Sequence, residues 1–373
     1  MDILVKPCSL SGIVKVPESK SDLHRKLIAA FLAGHHGSLE YDKINACDDV
    51  KATVGVLDVL EHYGTSTPVL DCHESGSTLR FLIPVASALY DAVEFKGSDS
   101  LFRRPIAPLL DTMAKNGVNS ESGTSLTLKL TGKLRSGEFI LPGNISSQFV
   151  SGLLFALPLL SGNSVIKLTT RLESVPYVDM TLDVLRQFGI EVRRIKEKGL
   201  TRFYIPGSQR YICPSGLSVE GDWSAAACFI PFGVECIGLG DRSLQPDRKI
   251  LEFIPKFLTG GKLDISDCPD LFPILSVLNC KSGGNVEFTG CDRLRFKESD
   301  RIESVSALVN SLVDNNLTGG EVWGYNDHRI VMAAAVASCF VKGDILIHGA
   351  EAVKKSYPQF WNDFKALGGR YVI

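Results

Sequence analysis

The sequence predicts an α/β protein of repeated strand–helix units wrapped around buried helices. Three observations carry this reading. Six segments share one plan, five further helical segments are apolar on nearly every face, and no Ser/Pro-rich linker divides the chain. In the shared plan an apolar strand leads into a turn with small or acidic residues, then into a helix that often ends near Gly. The six segments begin near residues 38, 93, 165, 236, 286 and 345. Their spacing of roughly 50–70 residues exceeds that of a solenoid repeat. It suits a βαβαββ unit, three to a domain.

Segment two, VEFKGSDSLFRRPIAPLLDTMAKNGV, and segment five, VEFTGCDRLRFKESDRIESVSALVNSL, illustrate the plan. Between the segments lie ESGSTLRFLIPVASALY, SSQFVSGLLFALPLL, GDWSAAACFIPFGV, PDLFPILSVL and NDHRIVMAAAVASCF. Each begins polar and becomes apolar all round, the pattern of a helix inside its domain. Amphipathic helices, such as one over residues 180–188, would cover the outside. Short strands meet polar turns near residues 16–18 and 219–222, and these are the expected crossing points. One domain then comprises residues 1–17 with 222–373, and the other residues 18–221.

Composition narrows the function. With 373 residues there is chain enough for two or three domains. Hydrophobic residues at 45% and charged residues at 22% describe a packed globular protein. A net charge of -2 argues against a duplex-binding protein, which carries a basic surplus. The ten cysteines include no CxxC pair, so no zinc site is expected, and Cys72-His73 reads as ordinary packing. Scattered unpaired cysteines suit a reducing cytosol. No run of about 18 apolar residues is present to span a membrane. The chain begins directly on a strand, without a charged leader, so a soluble cytoplasmic protein is expected.

The chemistry concentrates at helix starts. A helix N-terminus presents unsatisfied N–H groups and a positive dipole end, which attract anions. Ser and Asp there also serve as plain caps, so the cations beside them decide the reading. Lys20 and Ser21 precede a helix that carries Arg25 one turn in, a set able to hold a phosphate. Ser146, Ser147 and Gln148 open a second apolar helix. Asp327, His328 and Arg329 open the last one. Three strand-to-helix turns are also cationic, at Arg103-Arg104, at residues 293–301 and at Lys355. A turn between strand and helix is where sites usually lie.

These motifs, in order, resemble the 5-enolpyruvylshikimate-3-phosphate synthase family of enolpyruvyl transferases. The ordered set SKSxxxR, GSTLR, RRP, SSQF, SxPYxDMTLDV, EGDxSxA, PDL, KESDR, DHR and KSYP runs from Lys20 to Pro358. The resemblance implies two similar domains, each of three βαβαββ repeats around buried parallel helices, an inside-out α/β barrel with the active site in the cleft between them. It implies that shikimate 3-phosphate sits on Lys20, Ser21, Arg25, Ser146, Ser147, Gln148, Ser174, Asp270 and Lys297. Phosphoenolpyruvate would be held by Lys20, Gly76, Arg104, Gln148, Arg301, Arg329 and Lys355. Lys20, Asp270 and Glu298 would be catalytic, with no metal or organic cofactor and a monomeric chain. Two positions depart from the family's pattern. Arg293 replaces an Asn four residues before Lys297, and the turn before the third helix reads Glu74-Ser75-Gly76. The chain is also shorter than many members, which implies trimmed loops.

Two alternatives on the same fold fit less well. The transferase acting on UDP-N-acetylglucosamine uses a loop cysteine, and the Leu101–Pro105 stretch has none. A non-catalytic anion-binding regulator would have lost Lys20, Asp270 or Glu298. A single-stranded nucleic-acid module lacks its aromatic–basic interleaving.

Overall fold

The structure, a computed structural model, describes residues 1–62, 67–122, 126–313 and 317–373. The chain forms two compact units. The N-unit comprises Lys20–Asp42 and Asp48–Val219; the C-unit comprises Met1–Ser19, Lys43–Cys47 and Glu220–Ile373. The chain opens with β1 (Asp2–Lys6) and β2 (Ile13–Lys15), both in the C-unit.

The N-unit begins with α1 (Lys20–Leu32) and α2 (Asp48–Glu61). Two matching modules follow. The first runs β3 (Val69–Asp71), α3 (Gly76–Leu89), β4 (Ala92–Lys96), α4 (Ala107–Ala114), β5 (Asn119–Ser122) and β6 (Thr127–Thr131). The second runs β7 (Glu138–Leu141), α5 (Ser147–Ala156), β8 (Ser164–Leu168), α6 (Val175–Gln187), β9 (Arg193–Glu197) and β10 (Leu200–Ile205). In each, the helix crossover makes the first two strands parallel, and the closing hairpin adds two antiparallel strands. The strand orders, β3-β4-β6-β5 and β7-β8-β10-β9, are the same. This is the βαβαββ repeat.

The C-unit pairs β2 with β11 (Glu235–Ile237), and β12 (Gly261–Asp264) with β13 (Val286–Thr289) across α7 (Phe272–Lys281). After α8 (Arg301–Val313) come β14 (Gly320–Trp323), α9 (His328–Ala337), β15 (Ile345–His348), α10 (Phe360–Ala366) and β16 (Arg370–Val372). Their sheet has the order β14-β15-β1-β16, so the N-terminal strand fills the position of the last hairpin strand.

The other three units lack the closing hairpin. Residues 62–68 separate α2 from β3, residue 260 alone separates the short helix Lys256–Thr259 from β12, and residues 314–319 separate α8 from β14. None of these connections is long enough for two paired strands. The chain is trimmed by whole hairpins, not by loop tips.

Three local expectations need correction. The strand expected from residue 38 does not form; the chain leaves the N-unit there, and Lys43–Cys47 packs in the C-unit, where Gln359 Nε2 donates to Asn45 Oδ1 at 2.5 Å. The apolar helix expected after Asp222 stops at Trp223–Ala226, because Pro231 and Gly233 follow. The helix of segment four is broken into Ile250–Phe253 and Lys256–Thr259 at Pro255.

The buried helices do occupy the cores. Every residue of α9 is buried, as is nearly all of α3 and α5. Close approach of α5 to α3 depends on Gly152. A Cβ there would overlap the Arg80 carbonyl oxygen and sit 3.2 Å from Phe81 Cα. Gly152→Ala should therefore cost about 1–3 kcal/mol through overpacking, measured as a lower urea midpoint. An unchanged midpoint would show that the two helices can move apart freely.

Candidate active site

In the N-unit, a buried chain of hydrogen bonds sets three helix starts against one another. His24 Nδ1 bonds Thr53 Oγ1 at 2.7 Å, Thr53 bonds Thr78 Oγ1 at 2.7 Å, and Thr78 donates to Ser75 Oγ at 2.7 Å. Burial drives the His24 pKa down to about 3, so this link stays neutral. The chain fixes α1 against α2 and α3. Lys20, the first residue of α1, then pairs with Asp49 at 2.8 Å.

Arg25 lies one turn further on and is 2% exposed. Its guanidinium donates to Thr181 Oγ1 at 2.9 Å, to the Ser21 carbonyl at 2.5 Å and to the Tyr177 carbonyl at 2.8 Å. It also lies 5.1 Å from the Phe81 ring centre. Burial lowers its pKa to about 10, which leaves it charged at neutral pH. Nearby, Ser174 opens α6 with φ 52°, a left-handed conformation rare for a residue with a side chain. Its hydroxyl does not cap its own helix. A strained, non-capping serine beside Tyr177 marks a site, because strain persists where the surroundings impose it.

Ser146 is the N-cap of α5, accepting from Gln148 N at 3.3 Å, and Ser147 is buried beside it. The Gln148 amide is held at both ends by α3: Arg80 Nη1 donates to its oxygen at 2.9 Å, and its nitrogen donates to Ser77 Oγ at 2.8 Å. Gly76 sits at the start of α3 after the cap Ser75. A Cβ on Gly76 would lie 3.1 Å from Arg104 Nη1 and 3.4 Å from Arg80 Nη1. Two guanidinium groups thus converge on one helix N-terminus, itself the positive end of a dipole. Only a residue without a side chain permits that approach. Arg103 points elsewhere and pairs with Asp99 on the surface. Glu74 directly precedes the cap and is half-buried.

The C-unit answers with carboxylates. Arg301 is 1% exposed and spends its N–H groups on three acids. It donates to Asp270 Oδ1 at 2.5 Å, to Glu298 Oε2 at 2.7 Å and to Asp327 Oδ2 at 2.8 Å. Lys297 donates to Asp270 Oδ1 at 3.0 Å, and Arg329 Nη2 lies 3.8 Å from Asp270 Oδ2. Burial disfavours a charged Asp270, yet Lys297, Arg301 and Arg329 outweigh it and hold the carboxyl well below its ordinary value. Burial lowers the Lys297 pKa in turn.

Asp327 caps α9, accepting from Arg329 N at 2.9 Å, so the same residue orients both arginines. It follows Tyr325 and Asn326, two successive left-handed residues. That turn presents the Asn326 carbonyl to Lys355 Nζ at 2.8 Å. Tyr357, two residues later, anchors the Lys355 turn by packing edge-on to Phe229 and donating to Asp363 at 2.7 Å. Arg293 donates to the Ser266 carbonyl at 2.6 Å.

Lys20, Ser21, Arg25, Gly76, Arg104, Ser146, Ser147, Gln148 and Ser174 therefore lie in the N-unit, and Asp270, Lys297, Glu298, Arg301, Arg329 and Lys355 in the C-unit. Sequence reasoning passed over Arg80 and Asp247. Arg80 carried a signal, since a charge inside an all-apolar helix needs partners. Asp247 carried none. It is 1% exposed, and Ser224 donates to it. Burial and then Asp270 push its carboxyl up to about 7, against the pull of Arg329. A carboxyl raised in the fold stabilises fully below about 3.9 and loses that contribution as pH rises through about 7. Asp247→Asn should remove this slope, so the urea midpoint of the wild type should fall more between pH 5 and 7 than that of the variant. Parallel profiles would show that Asp247 does not hold the proton.

Comparison with known proteins points one way. The EPSP synthase (3-phosphoshikimate 1-carboxyvinyltransferase) family model matches residues 4–238 and 238–364. A 3-phosphoshikimate 1-carboxyvinyltransferase of Clostridium acetobutylicum is 38% identical, with 98% of this chain and 97% of that protein covered. The one from Clostridium kluyveri is 39% identical over the same shares. The first alignment spans 423 positions, more than the 373 residues here, so this chain is gapped against its relative. Among solved structures, EPSP synthase from Acinetobacter baumannii superposes with a TM-score of 0.76 at 21% identity, covering all of both chains. The enolpyruvyl transferase NikO from Streptomyces tendae gives 0.67 at 15% identity, covering 100% of this chain and 98% of that one. At those identities the structures speak to the fold, and the family rests on the sequence matches. On that basis, the chain belongs to the EPSP synthase (3-phosphoshikimate 1-carboxyvinyltransferase) family.

Proposed function

We infer that the protein transfers the enolpyruvyl group of phosphoenolpyruvate to the 5-hydroxyl of shikimate 3-phosphate and releases phosphate, a step toward chorismate and the aromatic amino acids. The observation that carries the site reading is the convergence of Arg80 and Arg104 on the Gly76 end of α3. Two like charges gathered at a positive helix end repel one another until an anion neutralises them. Phosphoenolpyruvate, with a carboxylate and a phosphate, is such an anion. Gln148, Lys20, Arg301, Arg329 and Lys355 complete its proposed surroundings. Arg301 contributes mainly by holding Asp270, Glu298 and Asp327 in place. Shikimate 3-phosphate takes Ser21, Arg25, Ser146, Ser147, Gln148 and Ser174 for its phosphate and hydroxyls, with Asp270 and Lys297 at the ring.

The reaction is addition followed by elimination. The hydroxyl attacks C2 of phosphoenolpyruvate while the methylene carbon gains a proton, which gives a tetrahedral ketal. Loss of phosphate and of a methyl proton restores the double bond. A carboxylate as depressed as Asp270 stays ionised and accepts a hydrogen bond well, but it is a weak base. Asp270 therefore aims the hydroxyl, and the proton transfers fall to Lys20 and Glu298. The cations stabilise the negative charge that gathers on the departing phosphate. We further assign the protein to the cytoplasm as a monomer, a location in keeping with ten free thiols.

Purified protein should release inorganic phosphate only when phosphoenolpyruvate and shikimate 3-phosphate are supplied together; silence from that pair with folded protein would sink the assignment. Lys20→Met and Asp270→Asn should each lower kcat by about 10²–10⁴, with circular dichroism confirming the fold. Near-normal turnover in both would show the roles to be misassigned.

A further inference from the structure

Outside the candidate site, two thiols of the C-unit meet at the ends of rigid elements. Cys8 lies two residues beyond β1, an inner strand of its sheet, and Cys339 two residues beyond α9. The backbone fixes their approach, because Cys8 N donates to the Ser338 carbonyl at 3.1 Å. Cys8 Sγ lies 3.2 Å from Ser338 Oγ, and the Cys339 thiol hydrogen-bonds the Cys8 sulfur. Both residues are partly exposed, while Cys47, Cys72, Cys228 and Cys268 are buried.

The surroundings make the two sulfurs unequal. Cys8 faces the backbone N–H and the charge of Arg370 on β16. Cys339 faces the backbone N–H of Leu10 and the charge of Lys281 at the end of α7. The hydrogen bond from Cys339, helped by Ser338 and Arg370, outweighs burial and pulls the Cys8 pKa down to about 6. That same bond, with burial, pushes Cys339 up. One thiol is thus a thiolate at neutral pH, with a protonated thiol beside it. A redox-active pair needs this division between attacking and resolving sulfur.

We propose that Cys8 and Cys339 form a reversible thiol–disulfide pair, in which a small hydroperoxide oxidises Cys8 and Cys339 resolves it. The Cys8 thiolate attacks one peroxide oxygen. The O–O bond breaks, hydroxide leaves, and the sulfur becomes a sulfenic acid. The Cys339 sulfur then attacks the Cys8 sulfur, the S–O bond breaks, and water leaves with the Cys339 proton. In total, two thiols lose two electrons and two protons, and one hydrogen peroxide becomes two waters. The resulting bond ties the segment after β1 to the C-terminal end of the helix whose N-terminus carries Asp327 and Arg329.

The test uses the full chain and hydrogen peroxide. After mild treatment, non-reducing digestion and mass spectrometry should give a linked peptide pair containing Cys8 and Cys339, lighter by two hydrogens and restored by dithiothreitol. In Cys339→Ser, a 1,3-dione probe should trap Cys8 as the sulfenic acid. In the untreated wild type, iodoacetamide alkylation of Cys8 should rise only about tenfold from pH 5 to 8 and then level off. Cys280, whose pKa burial raises, should rise several hundredfold and keep rising, as about 8.5 or above predicts. The proposal is overturned if peroxide modifies other partly exposed cysteines while Cys8 and Cys339 stay thiols. It is equally overturned if the Cys8 alkylation profile parallels that of Cys280.

Discussion

The Arg301 guanidinium, at 1% exposure, sits among Asp270, Glu298 and Asp327, and much of the C-unit is arranged around that contact. A buried cation must be paired, because desolvation costs several kcal/mol per ion. Three carboxylates from three separate elements meet this need at once. Asp270 comes from the turn before α7, Glu298 from the turn before α8, and Asp327 from the cap of α9. Each acid is thereby fixed in position and kept ionised. Asp327 has a second task, since it also receives the Arg329 N–H. The starts of α7, α8 and α9 are therefore held by one network, and a change at any member disturbs the others.

The N-unit solves the opposite problem. Its helix starts are joined by neutral hydroxyls, through the His24–Thr53–Thr78–Ser75 chain, in which burial keeps the imidazole uncharged. Positive charge then gathers at the mouth of α3, where Gly76 leaves space for Arg80 and Arg104. The acid-rich C-unit has groups suited to orienting a hydroxyl and moving protons. The cation-rich N-unit has groups suited to anions. Neither set contains all that an addition–elimination on a phosphorylated enol requires.

The shortened chain fits the same logic. Three of the six repeats keep the closing antiparallel hairpin, and three connections are too short to hold one. What every complete module retains is the parallel pair with its crossover helix. That is the part which aims a helix N-terminus, and so the part on which function depends. The hairpins extend the sheets and can be lost at a cost in burial alone.

The sequence by itself determined the repeat, the buried helices and the chemical character of the helix starts, because these follow from local periodicity and from residue types at fixed spacing. It also identified the cations at Arg25, Arg104, Lys297 and Arg329. It overestimated regular structure at residues 38–47 and 223–234. In the first, the chain changes unit; in the second, Pro231 and Gly233 stop the helix. Only the tertiary structure decided which charges are paired. Nothing in the sequence says that Arg301 is enclosed by three acids, that Arg80 joins Arg104 at Gly76, or that Asp247 is driven toward neutral pKa. It equally could not show that Cys8 meets Cys339 across 331 positions. These are long-range contacts, and pattern along a chain carries no information about which distant groups share one low-dielectric space.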